Sequence, residues 1–330
     1  MKAIIVDKKG AENLKRKLIS KKILNNNFRV KHDSNYVYFP VLKDIKGYKT
    51  VYVDFERKAE KLTFDESLMN LFNKNEISEL KRAYEIIGSI AILEIDKKFE
   101  NREREIADAL LCSNKCIKTV VKKISSYEGE FRLRRYKYLA GLREKETIHK
   151  ENGISVKLNI DKTYFSARLA NERLYIARQV KSGENVLVMF SGVGIYPLVI
   201  AKNSKPKIVY GVEMNLSACK YAEENVKLNK LNNVKLYCGD VRKVVPKLDI
   251  EFDRIVMPHP CGAVNFLDIA LKVLKKNWII HFYSFCRTIE IENIWNEITE
   301  YIKQYKKLGL RTCCQVGPNK YRICADLQVC

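Results

Sequence analysis

Two glycines and one glutamate form the part of this sequence whose chemistry is easiest to interpret. Gly192 and Gly194 follow the apolar run Asn185 to Met189, and Glu213 follows a second apolar run, Ile208 to Val212. Glycine lets a backbone approach a nucleotide-like ligand closely, and a carboxylate at a strand tip can accept hydrogen bonds from both ribose hydroxyls. The pattern predicts a site for a ligand that contains adenosine.

Pro197 narrows the choice of ligand. Dinucleotide-binding sequences have a third glycine at this position, and proline in a first helical turn removes an N–H group that could bind a pyrophosphate. S-adenosylmethionine (AdoMet) has no phosphate, so the proline is compatible with it. We therefore predict an AdoMet site, with an NAD-type site and a purely structural glycine turn as the alternatives.

Two further loops are expected at the same edge of the sheet. Asp240 follows the third strand and can accept a hydrogen bond from the exocyclic amine of adenine, cap the helix that begins at Val241, or do both. Pro258 and His259 follow the fourth strand. His259 is expected to be either a substrate contact or a surface side chain.

A basic and aromatic segment, residues 130–141, contains Arg132 and Arg134. Basic residues interleaved with aromatic ones suit a groove that holds phosphates and stacks bases. The alternative is an amphipathic strand with a solvated basic face. Further along, Glu172 opens a helix, where a carboxylate is usually a partner of the helix dipole and nothing more.

The charge of the chain favours a polyanionic partner. It has 61 Lys and Arg against 39 Asp and Glu, a net charge of +22. Residues 1–50 have 13 basic and 4 acidic residues, and residues 111–150 have 11 and 4. Counterion release would drive such regions onto nucleic acid; the alternative is a lysine-rich surface typical of the source organism.

The cysteines and the apolar runs indicate the compartment. Ten cysteines lack paired C-x-x-C spacing and there are only four histidines, so no zinc site is expected. Most thiols are expected to be buried, with one disulfide conceivable in a hyperthermophilic source. The apolar runs are too short to span a membrane and the N-terminus does not resemble a signal peptide, so we expect a cytoplasmic protein.

The length and pattern predict three domains. They are a small α/β RNA-binding domain at 1–60, whose alternative is a structural cap, an α+β substrate-positioning domain at 61–160, and an α/β domain at 161–330. Alternating strands and helices from residue 185 predict a doubly wound, mostly parallel sheet with an antiparallel edge pair. Predicted local elements include a helix at 11–24, a strand at 28–30, a linker at 58–66, a helix at 68–80, a hairpin turn at 147–153 and a helix at 291–307.

Five segments in order resemble the archaeal and eukaryotic tRNA (guanine-37-N1)-methyltransferase family. They are Gly129–Arg134, Thr147–Gly153, Tyr164–Arg173, Met189–Gly194 and Gly239–Arg242. The resemblance covers about residues 85 to 285. It implies a class I AdoMet-dependent methyltransferase with a Rossmann-like fold that modifies the purine 3′ of the anticodon, with its small N-terminal domain on the tRNA body. We expect it to act as a monomer.

The resemblance also implies roles for individual residues. Arg132 would contact guanine O6 and Glu172 would be the general base. Glu213 and Asp240 would bind the ribose and the adenine. Further expected AdoMet contacts are Arg173, Phe190, Gly192, Gly194, Met214, Val241 and Pro258. Further expected target contacts are Arg134, Tyr164, Arg168 and His259.

These residue types suit the reaction. Guanine N1 must lose its proton before it attacks a methyl group, and a partly buried carboxylate can remove that proton. An arginine opposite O6 can stabilise the negative charge that develops there.

Two positions differ from the family pattern. Val188 stands where the family often has an acid, and Met257 stands where it usually has an asparagine. The second difference resembles an archaeal subgroup that also methylates C7 of the wyosine precursor 4-demethylwyosine (imG-14). We therefore expect N1 activity, with C7 activity as an additional hypothesis.

Three other functions are considered. Cys261 could attack a pyrimidine so that its C5 is methylated, which needs an activated thiol. An aminocarboxypropyl transferase of wyosine synthesis would share the fold. A non-catalytic RNA-binding protein could keep an AdoMet-type fold without using it.

Overall fold

The computed structural model describes residues 1–57, 62–287 and 290–330. The chain divides into two units, Met1–Thr63 and Phe64–Cys330. The predicted division into domains 1–60, 61–160 and 161–330 is finer and stays a prediction. Within the described residues no helix is both long and apolar enough to cross a bilayer.

The first unit is a small antiparallel sheet with a helix packed on it. Its elements are β1 (Lys2–Asp7), α1 (Ala11–Ser20), β2 (Lys31–His32), β3 (Tyr36–Pro40) and β4 (Thr50–Tyr52). The strand order is β2-β3-β1-β4. Leu14 and Leu18 of α1 are buried together with Ile4 and Phe39 of the sheet, so the apolar stripe of the helix faces the sheet.

Two predicted elements of this unit are wrong in extent. Helix α1 ends at Ser20 because Lys22 adopts a φ of 54°, which no helix continues through, and Leu24 bridges to Val41 instead. Residues 28–30 do not form a strand; Phe28 makes only an isolated bridge to Arg57.

The second unit begins with a mixed sheet and a hairpin. Its first elements are α2 (Phe64–Met69), α3 (Lys74–Glu79), β5 (Tyr84–Ile87), β6 (Ile90–Leu93), α4 (Glu103–Ser113), β7 (Thr119–Lys123), β8 (Tyr136–Gly141), β9 (Glu146–Glu151) and β10 (Ile154–Asn159). The sheet has the order β5-β6-β7-β8, and β9 pairs with β10. The long loop between β7 and β8 holds residues 130–135 of the basic segment, and the rest of the segment is β8.

Three predictions in this region are corrected. The predicted helix at 68–80 is two helices, because the side chain of Asn73 accepts from the backbone N–H groups of Asn75 and Glu76 and so starts a new helix. The predicted linker at 58–66 lies partly outside the described residues, and 64–66 are the first turn of α2. The predicted turn at 147–153 is mostly strand β9, with the turn itself confined to Asn152 and Gly153, which both have positive φ.

The rest of the unit is the predicted doubly wound sheet. Its elements are α5 (Ala170–Gln179), β11 (Asn185–Met189), α6 (Ile195–Asn203), β12 (Ile208–Glu213), α7 (Leu216–Leu228), β13 (Val234–Cys238), α8 (Val241–Val244), β14 (Phe252–Met257), α9 (Leu267–Val273), β15 (Leu274–Arg287), α10 (Asn293–Tyr301), β16 (Tyr305–Gly317) and β17 (Lys320–Val329). The strand order is β13-β12-β11-β14-β15-β17-β16, in which β17 is antiparallel to both of its neighbours, β15 and β16. The fold class and the antiparallel edge pair are confirmed.

The order in which successive strands are added to the sheet reverses between β11 and β14, which are parallel neighbours. Strands β12 and β13 lie on one side of this point, and β15 on the other. A crevice opens at the carboxyl ends of the strands at such a switch point, and ligands of doubly wound sheets bind there.

The predicted helix at 291–307 is too long. Helix α10 ends at Tyr301, and Tyr305 already belongs to β16, where it pairs with Val329 of β17. The ring of Tyr305 stacks on Trp295 at 6.1 Å. Sheet pairing and this aromatic contact outweigh the local helical pattern.

The cysteines also differ from expectation. Cys219 and Cys238 form a disulfide between α7 and β13, whereas the C-terminal cysteines Cys313, Cys314, Cys324 and Cys330 are free thiols. Four of the free cysteines are exposed, so the prediction of mostly buried thiols is only partly met.

Candidate active site

An open cleft of about 800 Å³ lies at the carboxyl ends of β11 to β14. Of the residues predicted from the sequence, it is lined by Arg132, Arg134, Tyr164, Arg168, Phe190, Gly192, Glu213, Met214, Asp240, Val241, Pro258 and His259. Glu172, Arg173 and Gly194 do not line it. We call the part formed by β11, β12, β13 and their loops the donor half, and the part formed by residues 126–134, Tyr164 and the ends of β15 to β17 the target half.

Glu213 is the main polar group of the donor half. Its two carboxylate oxygens accept hydrogen bonds from the backbone N–H groups of Gly192, at 2.7 Å, and Asn215, at 2.8 Å. Burial raises the pKa of this carboxyl, and the backbone N–H groups oppose the rise. A carboxylate fixed at a strand tip in this way is placed to accept hydroxyl groups of a ligand.

The two glycines of the first loop have different tasks. Gly192 lines the cleft with a φ of 58°. Gly194, with a φ of 81°, lies outside the cleft wall, and a Cβ there would come within 3.2 Å of the Ala222 side chain of α7. Gly192 therefore shapes the ligand surface, whereas Gly194 lets two helices pack closely.

Pro197 fits its position because of a glycine in the neighbouring strand. A Cβ on Gly211 of β12 would lie 3.1 Å from the Pro197 ring. The proline therefore packs on β12 as the third glycine of a dinucleotide site would, without leaving an N–H group for a phosphate.

Asp240 and Phe190 complete the donor half. The Asp240 side chain accepts from the N–H of Arg242 at 2.9 Å and caps α8, so the capping role is confirmed while the residue also lines the cleft. Phe190 has a φ of 59° and packs its ring on those of Phe266, at 4.8 Å, and His259, at 5.0 Å. An aromatic wall of this kind suits an adenine or another flat ring.

Arg132 stands at the entrance to the target half. It lies at the end of a tight turn that is closed by two backbone hydrogen bonds between Glu128 and Leu133. The φ angle of Arg132 is 52°, a left-handed backbone conformation that costs roughly 1 kcal/mol in a residue other than glycine. Its Nη1 donates to Sγ of Cys261 at 2.8 Å, and its Nε is buried without a hydrogen-bond partner among the described residues. Strain at an arginine that is incompletely paired is typical of a ligand contact.

Aromatic rings surround the arginines of the target half. The guanidinium carbon of Arg132 lies 5.3 Å from the ring centres of Tyr164 and Phe285, and that of Arg134 lies 3.9 Å from Tyr127. Arg168 is at the edge, where it donates to the carbonyl of Gln315 at 3.2 Å. The ring contacts orient Arg132 and Arg134 without neutralising them, whereas Nη2 of Arg168 lies 3.8 Å from Oε2 of Glu85.

His259 lies inside the cleft and not on the outer surface. Burial, together with the charges of Arg132 and Arg322, lowers its pKa to about 4. The imidazole is therefore uncharged near neutral pH and can accept a hydrogen bond from a ligand.

Glu172 is set behind the cleft wall. Its carboxylate is bound by the Arg311 guanidinium, with Nη2 to Oε1 at 2.7 Å and Nε to Oε2 at 3.0 Å. The hydroxyl of Tyr283 donates to Oε1 at 2.5 Å. Its role as the base stays a prediction, and that role requires the carboxylate to leave Arg311 for the target base.

Arg173 is likewise an interior residue. It is 2% exposed and its guanidinium binds both carboxylate oxygens of Glu151, at 2.7 and 2.5 Å. Burial raises the pKa of Glu151, but the hydrogen bonds from His149 and Arg173 outweigh it and lower that pKa. Its expected contact with the cofactor stays a prediction.

The structure adds residues to the site that the sequence did not single out. They are Tyr127, Phe285, Arg322 and, behind the wall, Arg311. Phe285 and Arg322 are cross-strand neighbours on β15 and β17. In the sequence, the only signal for Phe285 and Arg322 is the alternation of side chains along the last strands. That signal identifies them only when it is known which face of these strands is turned to the cleft.

Three family models match consecutive parts of this chain. Residues 3–49 match the tRNA methyltransferase 5 N-terminal domain, 64–145 the TYW2 N-terminal domain, and 147–310 the TRM5/TYW2 methyltransferase domain.

Relatives with similar sequences extend over most of the chain. The tRNA (guanine(37)-N(1))-methyltransferase Trm5b of Pyrococcus abyssi is 34% identical over 99% of this chain and 98% of its own length. The tRNA (guanine(37)-N(1))/4-demethylwyosine(37)-methyltransferase Taw22 of Nanoarchaeum equitans is 33% identical over 73% of this chain and 97% of its own.

Solved structures agree with this. The complex of aTrm5 with tRNALeu superposes with a TM-score of 0.73 at 29% identity and covers 99% of both chains. The Methanocaldococcus jannaschii TYW2 structure, in complex with AdoMet, has a TM-score of 0.57 at 28% identity and covers 75% of this chain and all of that one.

Proposed function

This chain belongs to the TRM5/TYW2 methyltransferase family, and on that premise we propose that it transfers a methyl group from AdoMet to N1 of guanosine 37 in tRNA. The observation that supports this most directly is that one cleft joins a donor half around Glu213 to a target half around Arg132. A nucleobase in the target half would lie next to the donor.

The donor half suits AdoMet. Glu213 is held at the strand tip by backbone N–H groups alone and keeps lone pairs for ribose hydroxyls. Gly192 presents a wall without a side chain, and the Phe190 ring can pack against adenine. Asp240 and the backbone around Val241 would hold the adenine edge, with Met214 and Pro258 on either side.

The target half suits a purine that has a carbonyl oxygen at C6. When bound, AdoMet supplies an electrophilic methyl group on a sulfonium. Arg132, opposite O6, stabilises the negative charge that develops on the base as N1 loses its proton. Tyr127 and Tyr164 provide rings on which the base can stack, and Arg134, Arg168 and uncharged His259 surround it.

Glu172 is our choice for the base that takes the N1 proton. The transfer forms the N1–C bond and breaks the C–S bond, so one proton must leave N1. Breaking the ion pair with Arg311 would free the carboxylate, and the Tyr283 hydroxyl would still orient it. A positioned carboxylate contributes about 10²- to 10⁴-fold to such a rate.

We further propose that the protein is a cytoplasmic monomer with three domains. The three consecutive family matches support domains near 1–60, 61–160 and 161–330. The first unit carries much of the basic excess, which suits contact with the tRNA body away from the anticodon.

The test is incubation of the purified protein with labelled AdoMet and a tRNA transcript that has an unmodified guanosine at position 37. Nucleoside mass spectrometry should find one N1-methylguanosine per tRNA. The matched control is the same transcript with adenosine at that position. Incorporation into the control, or none into the first transcript, would refute the proposal.

A second activity, methylation of C7 of 4-demethylwyosine, is supported by the dual-function relative from Nanoarchaeum equitans and by Met257, the last residue of β14. A tRNA that already bears this base should gain one methyl group. A relative from Methanocaldococcus jannaschii, 36% identical over 67% of this chain, is an aminocarboxypropyltransferase for this base. That transfer would add a larger mass, so the same spectrum separates the two reactions.

A further inference from the structure

Arg322 is a buried cation at the target half of the cleft. It lies on β17, between β15 and β16, and is 3% exposed. Within residues 1–57, 62–287 and 290–330 its Nε is buried without a hydrogen-bond partner, and its Nη2 makes a long contact, 3.4 Å, to the carbonyl oxygen of Pro258. Among the described residues no carboxylate forms an ion pair with it.

The other groups that face this guanidinium do not neutralise it. They are Tyr164 in the cleft, Tyr196 of α6, Tyr283 of β15, Cys313 and Cys314 of β16, His259, and, across the shared aromatic rings, the cations Arg132 and Lys320. Tyrosine and cysteine are neutral near pH 7, and burial raises the pKa of Tyr196, Tyr283 and Cys314 further. Buried charges without a partner are costly, and a fold keeps one where a ligand provides the partner.

Arg322 and Arg132 lie beside the same two aromatic rings in the target half. Both guanidinium carbons lie near the rings of Tyr164 and Phe285, at 5.3 Å for Arg132 and at 6.0 and 5.8 Å for Arg322. They come from distant parts of the chain, a turn after β7 and the last strand. Arg132 and Arg322 therefore share these two rings, and neither forms an ion pair within the part of the chain that the structure describes.

We propose that Arg322 is a second guanidinium that binds an anionic oxygen of the target nucleotide, opposite Arg132. This rests on the proposed function. The oxygen is either O6 of the base, as N1 deprotonation places charge on it, or a phosphate oxygen of the same nucleotide. Because β17 is an interior strand, Arg322 is held more rigidly than Arg132, which sits in a turn.

The test uses the full chain with Arg322→Met and Arg322→Lys, and Arg178→Met on the exposed face of α5 as the matched control. Three quantities are measured: the single-turnover methylation rate from pH 6 to 9 at saturating AdoMet and tRNA, the tRNA dissociation constant, and the AdoMet dissociation constant.

If the oxygen is O6, Arg322→Met lowers the single-turnover rate about 10- to 100-fold at pH 7. The rising limb of its pH profile also moves to higher pH, because N1 is harder to deprotonate without the cation. If the oxygen belongs to a phosphate, tRNA binding weakens about tenfold and the saturated rate and its pH profile stay as in wild type. Either result supports the proposal. Arg322→Lys keeps the charge, so its methylation rate and tRNA affinity should lie between those of wild type and Arg322→Met. If Arg322→Met does not fold, the same three quantities are measured on Arg322→Lys.

Arg178→Met should match wild type within twofold. The proposal is overturned if the Arg322 variants keep wild-type rates, pH profiles and tRNA affinity, or if only their AdoMet affinity changes. These outcomes differ from failure of the proposed function, in which the wild-type protein itself would not methylate guanosine 37.

Discussion

Five arginines of the second unit fall into two groups that differ in what balances their charge. In the interior, Arg173 pairs with Glu151, Arg254 with Glu184, and Arg311 with Glu172. In the cleft, Arg132 and Arg322 face aromatic rings and form no ion pair within the described residues. The paired charges belong to the fold, whereas the unpaired ones indicate where a negatively charged ligand is expected.

Two of the interior pairs, Arg254–Glu184 and Arg311–Glu172, belong to one continuous network. Glu184 binds Arg254, whose Nη1 donates to Nε2 of His281 at 2.8 Å, and Nδ1 of His281 donates to Asp326 at 2.6 Å. Asp326 also binds Arg311, which binds Glu172. Burial raises the pKa of Asp326, but His281 and Arg311 outweigh it and hold that pKa at about 2. Both ring nitrogens of His281 are occupied, so this cluster is a hydrogen-bonded network and not an open metal site.

Glu172 is the end of the interior network and the proposed base, so replacing it should give the largest effect on the methylation rate. Glu172→Gln should lower the single-turnover rate about 10²- to 10⁴-fold, since an amide cannot take the N1 proton. AdoMet affinity should stay within about twofold. Rapid-quench methylation and calorimetry measure the two quantities.

Asp326→Asn is the matched control, because it disturbs Arg311 and keeps the Glu172 carboxylate. If Asp326→Asn slows methylation as much as Glu172→Gln, the network positions the site and Glu172 is not the base. A Glu172→Gln variant that loses only AdoMet binding would lead to the same conclusion.

The next largest effect should be on stability. Arg254→Met leaves the buried carboxylate of Glu184 without its partner and should lower the free energy of unfolding by about 3–5 kcal/mol. Arg322→Met removes a buried charge that has no partner and should change it by less than about 1 kcal/mol. Urea denaturation of both variants makes the comparison, and equal losses would show that the two arginine groups do not differ.

The sequence predicted the donor half well because that half is local. Glycine loop, strand tip and carboxylate follow each other within about 30 residues, and the parallel sheet brings Gly192, Glu213 and Asp240 to one edge. The same holds for the basic turn that carries Arg132, whose composition alone indicated a ligand.

What the sequence did not reveal depends on pairing over long distances. Arg322 faces the cleft because β17 lies between β15 and β16 in one register, and a shift of one residue would turn it away. The Glu172–Arg311 pair joins residues 139 apart, and the Cys219–Cys238 disulfide depends on how α7 packs beside β13. The helical pattern of residues 291–307 likewise concealed the start of β16, because that start depends on the pairing of Tyr305 with Val329.

A substitution in the donor half should have a smaller effect, which falls on AdoMet affinity and not on the methylation rate. Glu213→Ala removes hydrogen bonds to a charged acceptor, each contributing about 1.5–3 kcal/mol, so AdoMet affinity should fall roughly 10- to 100-fold. The rate at saturating AdoMet should change little. Glu223→Ala on the exposed face of α7 is the control for calorimetry. A large loss of saturated rate in Glu213→Ala would mean that this carboxylate also acts in the target half.

The smallest effect concerns pH and compares a histidine of each region. Burial lowers the pKa of His281, and burial with two arginines lowers that of His259. Below the ordinary value of about 6.5 the unfolded chain binds protons that the folded protein does not, so stability should fall as the pH drops from 7.5 to 5.5. For the fully buried His281 this is at most about 1.4 kcal/mol for each pH unit. Urea denaturation at both pH values should show a shallower dependence in His281→Gln and in His259→Gln. At pH 7.5 we expect His281→Gln, but not His259→Gln, to be less stable than wild type, because His281 connects Arg254 to Asp326. Equal losses of stability in the two variants at that pH would contradict the separation of interior and cleft.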